Sequence, residues 1–425
     1  MDGGRGTRSG VRRSINEWRA FGSPRYRTFL QIGVSSAVVV ALAGDGLTIP
    51  LLLALGTHPA VATVIGVLPF AFSVAQLRVP WLLERTDGNL RFVTLTILAV
   101  GETRGFLLAI FTLLAWAGIL PTVLAVVAIG AVMSLGGAAT TIGGTNLLAW
   151  YGAILPDPER RFVAPRVMGL TLGLGAILLL PVAVLVSAAE PVVGVRVYAF
   201  VFAVSGLAGL AEIAVVRRLE KPGRVRVARD VGPHVVAPPG LTPFIRSIGF
   251  AAFGAGFGPY LSIYAISVLG LSAGFAILLS ALSSGASLIA STVVGGVLGR
   301  SSASRLLRLS FLMRGGSMFL GLLAFPGQPL AWLVLCAVAV IASAGAATGT
   351  LAANERLMRL AMGPSLIGAQ GSFVAATAVG ITAGQVSNAA MLAIFPLAYP
   401  TFAALFLISG ATRLIVASRA EVSAT

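Results

Sequence analysis

Arg217–Pro243 reads RRLEKPGRVRVARDVGPHVVAPPGLTP. It is the only long polar interruption between two almost wholly apolar stretches of chain. It is basic, rich in Pro and Gly, and free of apolar periodicity, so it reads as a solvated linker. The expected organisation is a tail over 1–27, a first half over 28–216, a linker over 217–243, a second half over 244–416 and a tail over 417–425.

Composition says what the two halves are. The chain is 57% hydrophobic and 10% charged, with a mean hydropathy of +0.95; a soluble domain carries about 25% charged residues. Repeated apolar runs of about 20 residues predict an all-α membrane protein with many spans. The runs do not alternate polar and apolar residues, which sets aside a β-barrel. The net charge is +16, but the basic residues sit in short segments between apolar runs, so they report topology and no nucleic-acid partner is expected. Cys336 is the single cysteine, so no intramolecular disulfide is possible. His58 and His234 are the only histidines and neither has a ligand cluster around it, so no metal site and no cofactor are expected. The start is rich in arginine (Arg5, Arg8, Arg12, Arg13, Arg19, Arg25 and Arg27), and the apolar run behind it is too long for a cleaved signal core. It reads as a retained cytoplasmic tail.

Twelve spans are predicted: 28–56, 59–83, 92–117, 120–150, 163–188 and 194–216, then 244–269, 272–298, 306–326, 329–352, 366–391 and 395–416. Charge tests the count. The turns around Thr57–His58, Ile119–Pro121, Gly270, Gly327 and Phe395 hold no Arg or Lys; the exception on that side holds Glu190 and Arg196. The opposite side holds Arg85 and Arg91, then Arg160, Arg161 and Arg166, then the linker, then Arg300 and Arg305, then Arg356 and Arg359, with Arg413 and Arg419 taken to follow the last span. That is a positive-inside pattern with both termini in the cytoplasm.

The halves repeat one another. Pro80-Trp-Leu-Leu-Glu84-Arg85 followed by Arg91 matches Gly295-Gly-Val-Leu-Gly299-Arg300 followed by Arg305; Asn146 and Pro156 match Asn354 and Pro364; Arg104-Gly105 matches Arg314-Gly315. The matches occur in the same order, which supports a duplicated six-helix unit in parallel orientation.

On these residues the chain resembles the major facilitator superfamily of bacterial secondary transporters over about residues 25–416. The family marker is Gly-x-x-x-Asp-Arg between spans two and three; here Pro80 stands for the Gly, Glu84 for the Asp, and Arg85 matches. The loop from Trp150 to Arg166 also looks like the four-to-five loop of bacterial members. The resemblance implies two pseudo-symmetric six-helix bundles and alternating access. The fourth span lacks the Arg-x-x-x-Gly signature, and the fifth has Gly169, Gly173 and Gly175 but no Gly-Pro antiporter motif, so proton-coupled drug export is not implied.

Candidate residues follow from charge placement. Glu84, Arg85, Arg91, Arg300 and Arg305 sit at cytoplasmic helix ends, where an Arg–carboxylate network can latch helices in one conformation; positive-inside anchoring alone is the other explanation. Inside the membrane, ionisable residues are functional candidates. Asp45 lies between Gly44 and Gly46 in span one, Glu102 and Arg104 in span three, and Arg314 in span nine. Glu102 is about 16 Å in from Arg91. Being two apart, Glu102 and Arg104 are expected to point apart; Arg104 then pairs with Asp45 or forms an anion site, and Glu102 is a candidate proton carrier. In the resembled family spans one, four, seven and ten line the cavity while three and nine support, which favours Asp45 and makes structural pairing an equal alternative for Glu102, Arg104 and Arg314. Softer candidates are Asn146 on span four, Tyr260 and Tyr264 on span seven, and Gln385 and Asn388 on span eleven; helix–helix hydrogen bonding explains such residues as readily.

The expected function is secondary transport of a small organic solute by alternating access, in a monomer in the cell inner (plasma) membrane. Protons are a candidate coupling ion. Export is favoured by the lack of sugar-specific signatures. Two distant histidines and scattered carboxylates argue against an enzyme. The alternative is a non-transporting sensor or lipid-moving bundle on the same fold.

Overall fold

The computed structural model describes residues 22–222, 240–254, 258–297, 302–360 and 365–419. The N-terminal tail, the middle of the linker and Arg300 lie outside these residues. Every regular element described is helical. The first half holds α1 (Arg27–Leu42), α2 (Asp45–Ala54), α3 (Pro59–Ser73), α4 (Val79–Arg85), α5 (Leu90–Glu102), α6 (Arg104–Trp116), α7 (Thr122–Ile154), α8 (Asp157–Val193) and α9 (Arg196–Val216). The second holds α10 (Leu241–Phe253), α11 (Gly258–Ser267), α12 (Ala273–Val297), α13 (Ala303–Gly321), α14 (Ala331–Leu360), α15 (Ser365–Ile394) and α16 (Tyr399–Arg419).

Among the described residues, 10 helical segments are long and apolar enough to cross a membrane, not the twelve expected. The other two expected positions show why. The seventh is interrupted, with α10 and α11 spanning 13 and 10 residues. The ninth, α13, has 19 residues but carries Arg305, Arg308 and Arg314. Conversely, α7 and α8 have 33 and 37 residues. At about 1.5 Å per residue both exceed the roughly 30 Å hydrocarbon layer, so their joined ends project beyond it. The outer surface suits lipid rather than water: Val192 is 80% exposed and Val123 74%.

Helix α1 packs on α8 and α9, α5 on α7, and α6 on α9; in the second half α12 and α13 pack on α14, α13 on α16, and α10 on α15. The halves meet most extensively along two seams, α8 with α12 and α3 with α15, and α2 also touches α11 and α12. On the expected twelve-span numbering the two seams are spans five with eight and two with eleven, a pairing that a two-fold exchange of halves would map onto itself.

The apolar cores are unequal at the two ends. Toward the Gly56 and Gly270 turns they cross the halves. Ile277 and Ala281 join a first-half cluster with Leu47, Val186 and Phe202, and Ile49 and Ala60 join a second-half cluster with Tyr260, Ile263 and Leu335. Toward the linker each half keeps its own core: Phe29, Ile32, Trp150 and Val216 in one, Leu241, Phe244, Leu357 and Ala417 in the other. At that end Trp150 Nε1 donates to the Glu220 carbonyl at 2.9 Å, tying the start of the linker to α7.

Two departures from the charge pattern have local causes. Arg196, on the side otherwise free of arginine, stacks 4.2 Å over the Trp116 ring and donates Nε to the Val193 carbonyl at 3.1 Å. Arg413 does not follow the last span. It lies inside α16 and is 2% exposed.

Candidate functional site

The first span breaks at Ala43–Gly44. The amides of Leu47 and Thr48 bond the Gly44 carbonyl instead of continuing the ladder back through Ala43, and a Cβ on Gly44 would lie 2.6 Å from the Val40 carbonyl. Two consequences follow. Asp45 becomes the first residue of α2, where the helix dipole favours a carboxylate. The Ala43 carbonyl is left without a helical donor, and Arg104 takes it, Nε to oxygen at 3.3 Å. Discontinuous helices of this kind are where membrane transporters build ion and solute sites.

Arg104 is 5% exposed. Its Nη1 donates to the Gly101 carbonyl at 3.2 Å and the Gly136 carbonyl at 3.4 Å, and to Thr140 Oγ1. The glycine at 136 makes room: a Cβ there would meet Arg104 Cβ at 2.7 Å. Three carboxylates, Glu102, Asp45 and Glu212, lie within electrostatic range of this cation. Glu102 and Arg104 leave toward different helices, Glu102 Cβ against Gly209 of α9 and Arg104 Cβ against Gly136 of α7. Helix α5 ends at Glu102 and α6 begins at Arg104. Their tips nonetheless converge, since both side chains engage Thr140.

Glu212 on α9 went unnoticed in the sequence. It is 2% exposed, accepts from Ser36 Oγ on α1, and leaves Oε2 without a partner among the described residues. It sits four residues from the end of its helix, where a carboxylate passes for an interfacial one; its distance from the helix end was the available signal. Glu102 Oε2 is also unpartnered. The first half thus sets three carboxylates around one arginine, Glu102 and Glu212 buried and Asp45 half-buried at the cavity.

Beside this cluster lies a cavity of about 360 Å³. Asp45, Arg104, Thr140, Thr141 and Thr171 supply its polar wall from the first half, and Ser280 and Ser284 of α12 close it from the second. A smaller cavity of about 150 Å³ shares Ser280 and is lined by Ser262, Ser283, Ser343, Arg314 and Arg413 of the second half. Arg413 donates Nη1 to the Arg314 carbonyl at 3.2 Å.

Other candidates fall elsewhere. Tyr260 and Tyr264 are 0% exposed and line neither cavity. Tyr260 donates its hydroxyl to the Gln385 carbonyl at 3.1 Å and Tyr264 to the Ala324 carbonyl, so both tie helices together. Asn146 and Gln385 are buried, with Nδ2 and Oε1 unpartnered among the described residues, and Asn388 is half-buried; none lines either cavity. At the linker end, Arg85 stacks 4.2 Å over Trp81 of its own helix, Arg91 donates to the Arg217 carbonyl at 2.9 Å, and Ser302 Oγ caps the backbone amide of Arg305. Glu84 is exposed. The expected Arg–carboxylate network is not formed among these described residues. Arg300, its remaining expected member, lies outside them.

No family model matches the chain, and no curated protein matches it in sequence. Solved structures do match in fold. The xylose transporter XylE from E. coli, in an inward-open conformation, is 13% identical with a TM-score of 0.66, covering 94% of this chain and 96% of that one. The nucleoside transporter NupG is 14% identical at 0.64, covering 93% and 98%. A bacterial homologue of the iron transporter ferroportin, in an inward-facing state, is 13% identical at 0.64, covering 95% and 100%. At these identities the likeness is one of fold alone, shared with solved transporter structures.

Proposed function

We propose that this chain is a secondary transporter that moves a small organic solute by alternating access between two six-helix bundles. In this reading the interrupted α10–α11 and the arginine-bearing α13 are spans seven and nine, completing twelve. The bundles are 28–216 and 244–416, joined by the cytoplasmic linker 217–243, with both tails in the cytoplasm and the protein in the cell membrane. The observation that carries it is the cavity of about 360 Å³ walled by Asp45 and Arg104 from one half and by Ser280 and Ser284 from the other. Its size is in the usual range for small-molecule sites.

The unequal cores support the same reading. Among the described residues the apolar cores that cross the halves lie at the Gly56 end, and each core at the linker end belongs to one half. With the linker in the cytoplasm this is an inward-facing state. The fold neighbours carry xylose and nucleosides across membranes, which supports solute transport here without fixing the solute.

Asp45 is the coupling candidate. It lines the cavity at a helix break and lies within electrostatic range of Arg104. Protonation of Asp45 releases its hold on Arg104 and alters the charge that a solute meets. Solutes that stabilise the purified protein in a thermal-shift screen are expected to show saturable flux in proteoliposomes. Stabilising solutes with no flux above empty liposomes would favour the sensor alternative and remove this function.

A further inference from the structure

We propose that the smaller cavity, between Arg314 and Arg413, binds the carboxylate or phosphate group of the transported solute. The inference rests on the transporter reading and adds the charge of its solute.

Arg413 is 2% exposed, yet its Nε has no partner among the described residues. Its one hydrogen bond runs to the Arg314 backbone carbonyl, which draws the two arginines together. Arg314 lines the same cavity, and no hydrogen bond joins its guanidinium to the described residues. Guanidinium groups stay charged in proteins, so two cations share this pocket.

No carboxylate lines the cavity. The second half and the tail behind it hold only Glu355 and Glu421 as acidic residues. Glu355 is nine residues past the lining Ala346 on α14, about 13 Å along the helix. Glu421 lies outside the described residues. The first half solves the same problem differently: Arg104, at the repeat position of Arg314, has Glu102, Asp45 and Glu212 around it. Buried charges without a partner of opposite sign are strongly disfavoured in a membrane-embedded fold. An oxyanion supplies that partner, because guanidinium forks match carboxylate and phosphate oxygens two at a time. Ser262, Ser280, Ser283 and Ser343 also line the space. About 150 Å³ takes the acidic group, and the wall shared at Ser280 lets the rest of the solute occupy the central cavity.

The test is thermal stability of the purified full-length protein in detergent, titrated with sodium phosphate or sodium succinate against sodium chloride at equal ionic strength. Saturable stabilisation by phosphate or succinate and not by chloride is expected. Arg314→Gln and Arg413→Gln should each weaken it by about tenfold or more, as loss of a charge-assisted hydrogen bond would. If the glutamine variants do not purify, Ser283→Ala serves, with a weakening of a few fold expected. Equal stabilisation by chloride, no saturable shift with either oxyanion, or unchanged affinity in the variants overturns the site. Binding is read without flux. Stabilisation with no transport therefore keeps the site and removes the transporter, whereas transport with no anion effect does the reverse.

Discussion

Arg104 is the residue on which the first half turns. It satisfies the Ala43 carbonyl freed by the span-one break and lies among three carboxylates, two of them buried. Arg104→Gln leaves those carboxylates without a cation and is expected to destabilise the protein by about 3–5 kcal/mol, read as a lower midpoint of thermal unfolding in detergent. Asp45→Asn keeps the shape but not the charge. It is expected to slow transport by on the order of tenfold, about 1.4 kcal/mol of barrier, and to flatten the pH profile of the remainder. A wild-type rate with a wild-type profile would remove Asp45 from coupling. Asp45, Glu102, Arg104 and Arg314 stood out in the sequence because they interrupt apolar runs. Glu212 and Arg413 did not, because each lies within a turn or two of a helix end. There sequence cannot separate a charge that reaches water from one turned inward, and only packing against α1 and α13 reveals them as buried.

At the scale of helices, close approach is set by small residues. On α9, a Cβ at Gly209 would sit closer to the Glu102 carbonyl than real Cβ atoms come. Gly209→Val is expected to cost about 1–3 kcal/mol through overpacking, read by thermal unfolding, with Glu102 displaced from Arg104. At the linker end, Arg85 rests on Trp81 and not on a carboxylate. In an inward-facing state a cytoplasmic latch is open, so Arg85→Ala is expected to raise labelling of cysteines placed along the cytoplasmic ends of α3 and α15. Unchanged labelling would leave Arg85 as a topological anchor. Element existence was legible from apolar run length, and interruption was not. Gly44 gave a hint of the break at span one. The run over 244–269 looked continuous, and α13 was counted as a span despite its three arginines. Tyr260 and Tyr264 share a helical face, as the spacing required. Which way that face points depends on α15 and α16, which periodicity on one helix does not report.

For the whole molecule, apolar run length made a helical fold of many membrane spans readable from sequence; the linker, the alternation of arginine-free and arginine-rich turns and the ordered repeats are the grounds for proposing that it has two parts. The seams of α8 with α12 and of α3 with α15 support that proposal. The conformational state was not readable, since it depends on which end of the bundles shares a core. The central claim is that the two halves rock about the cavity at Asp45 and Ser280. The most direct test places spin labels at Asp87 and Ser302, both exposed at the linker end of opposite halves, in a Cys336→Ser background in proteoliposomes. Pulsed electron–electron distance measurement should give a long separation matching this structure and a second, shorter one. The balance between them should shift with pH or with a stabilising solute. A single unchanging distance under all conditions would contradict alternating access.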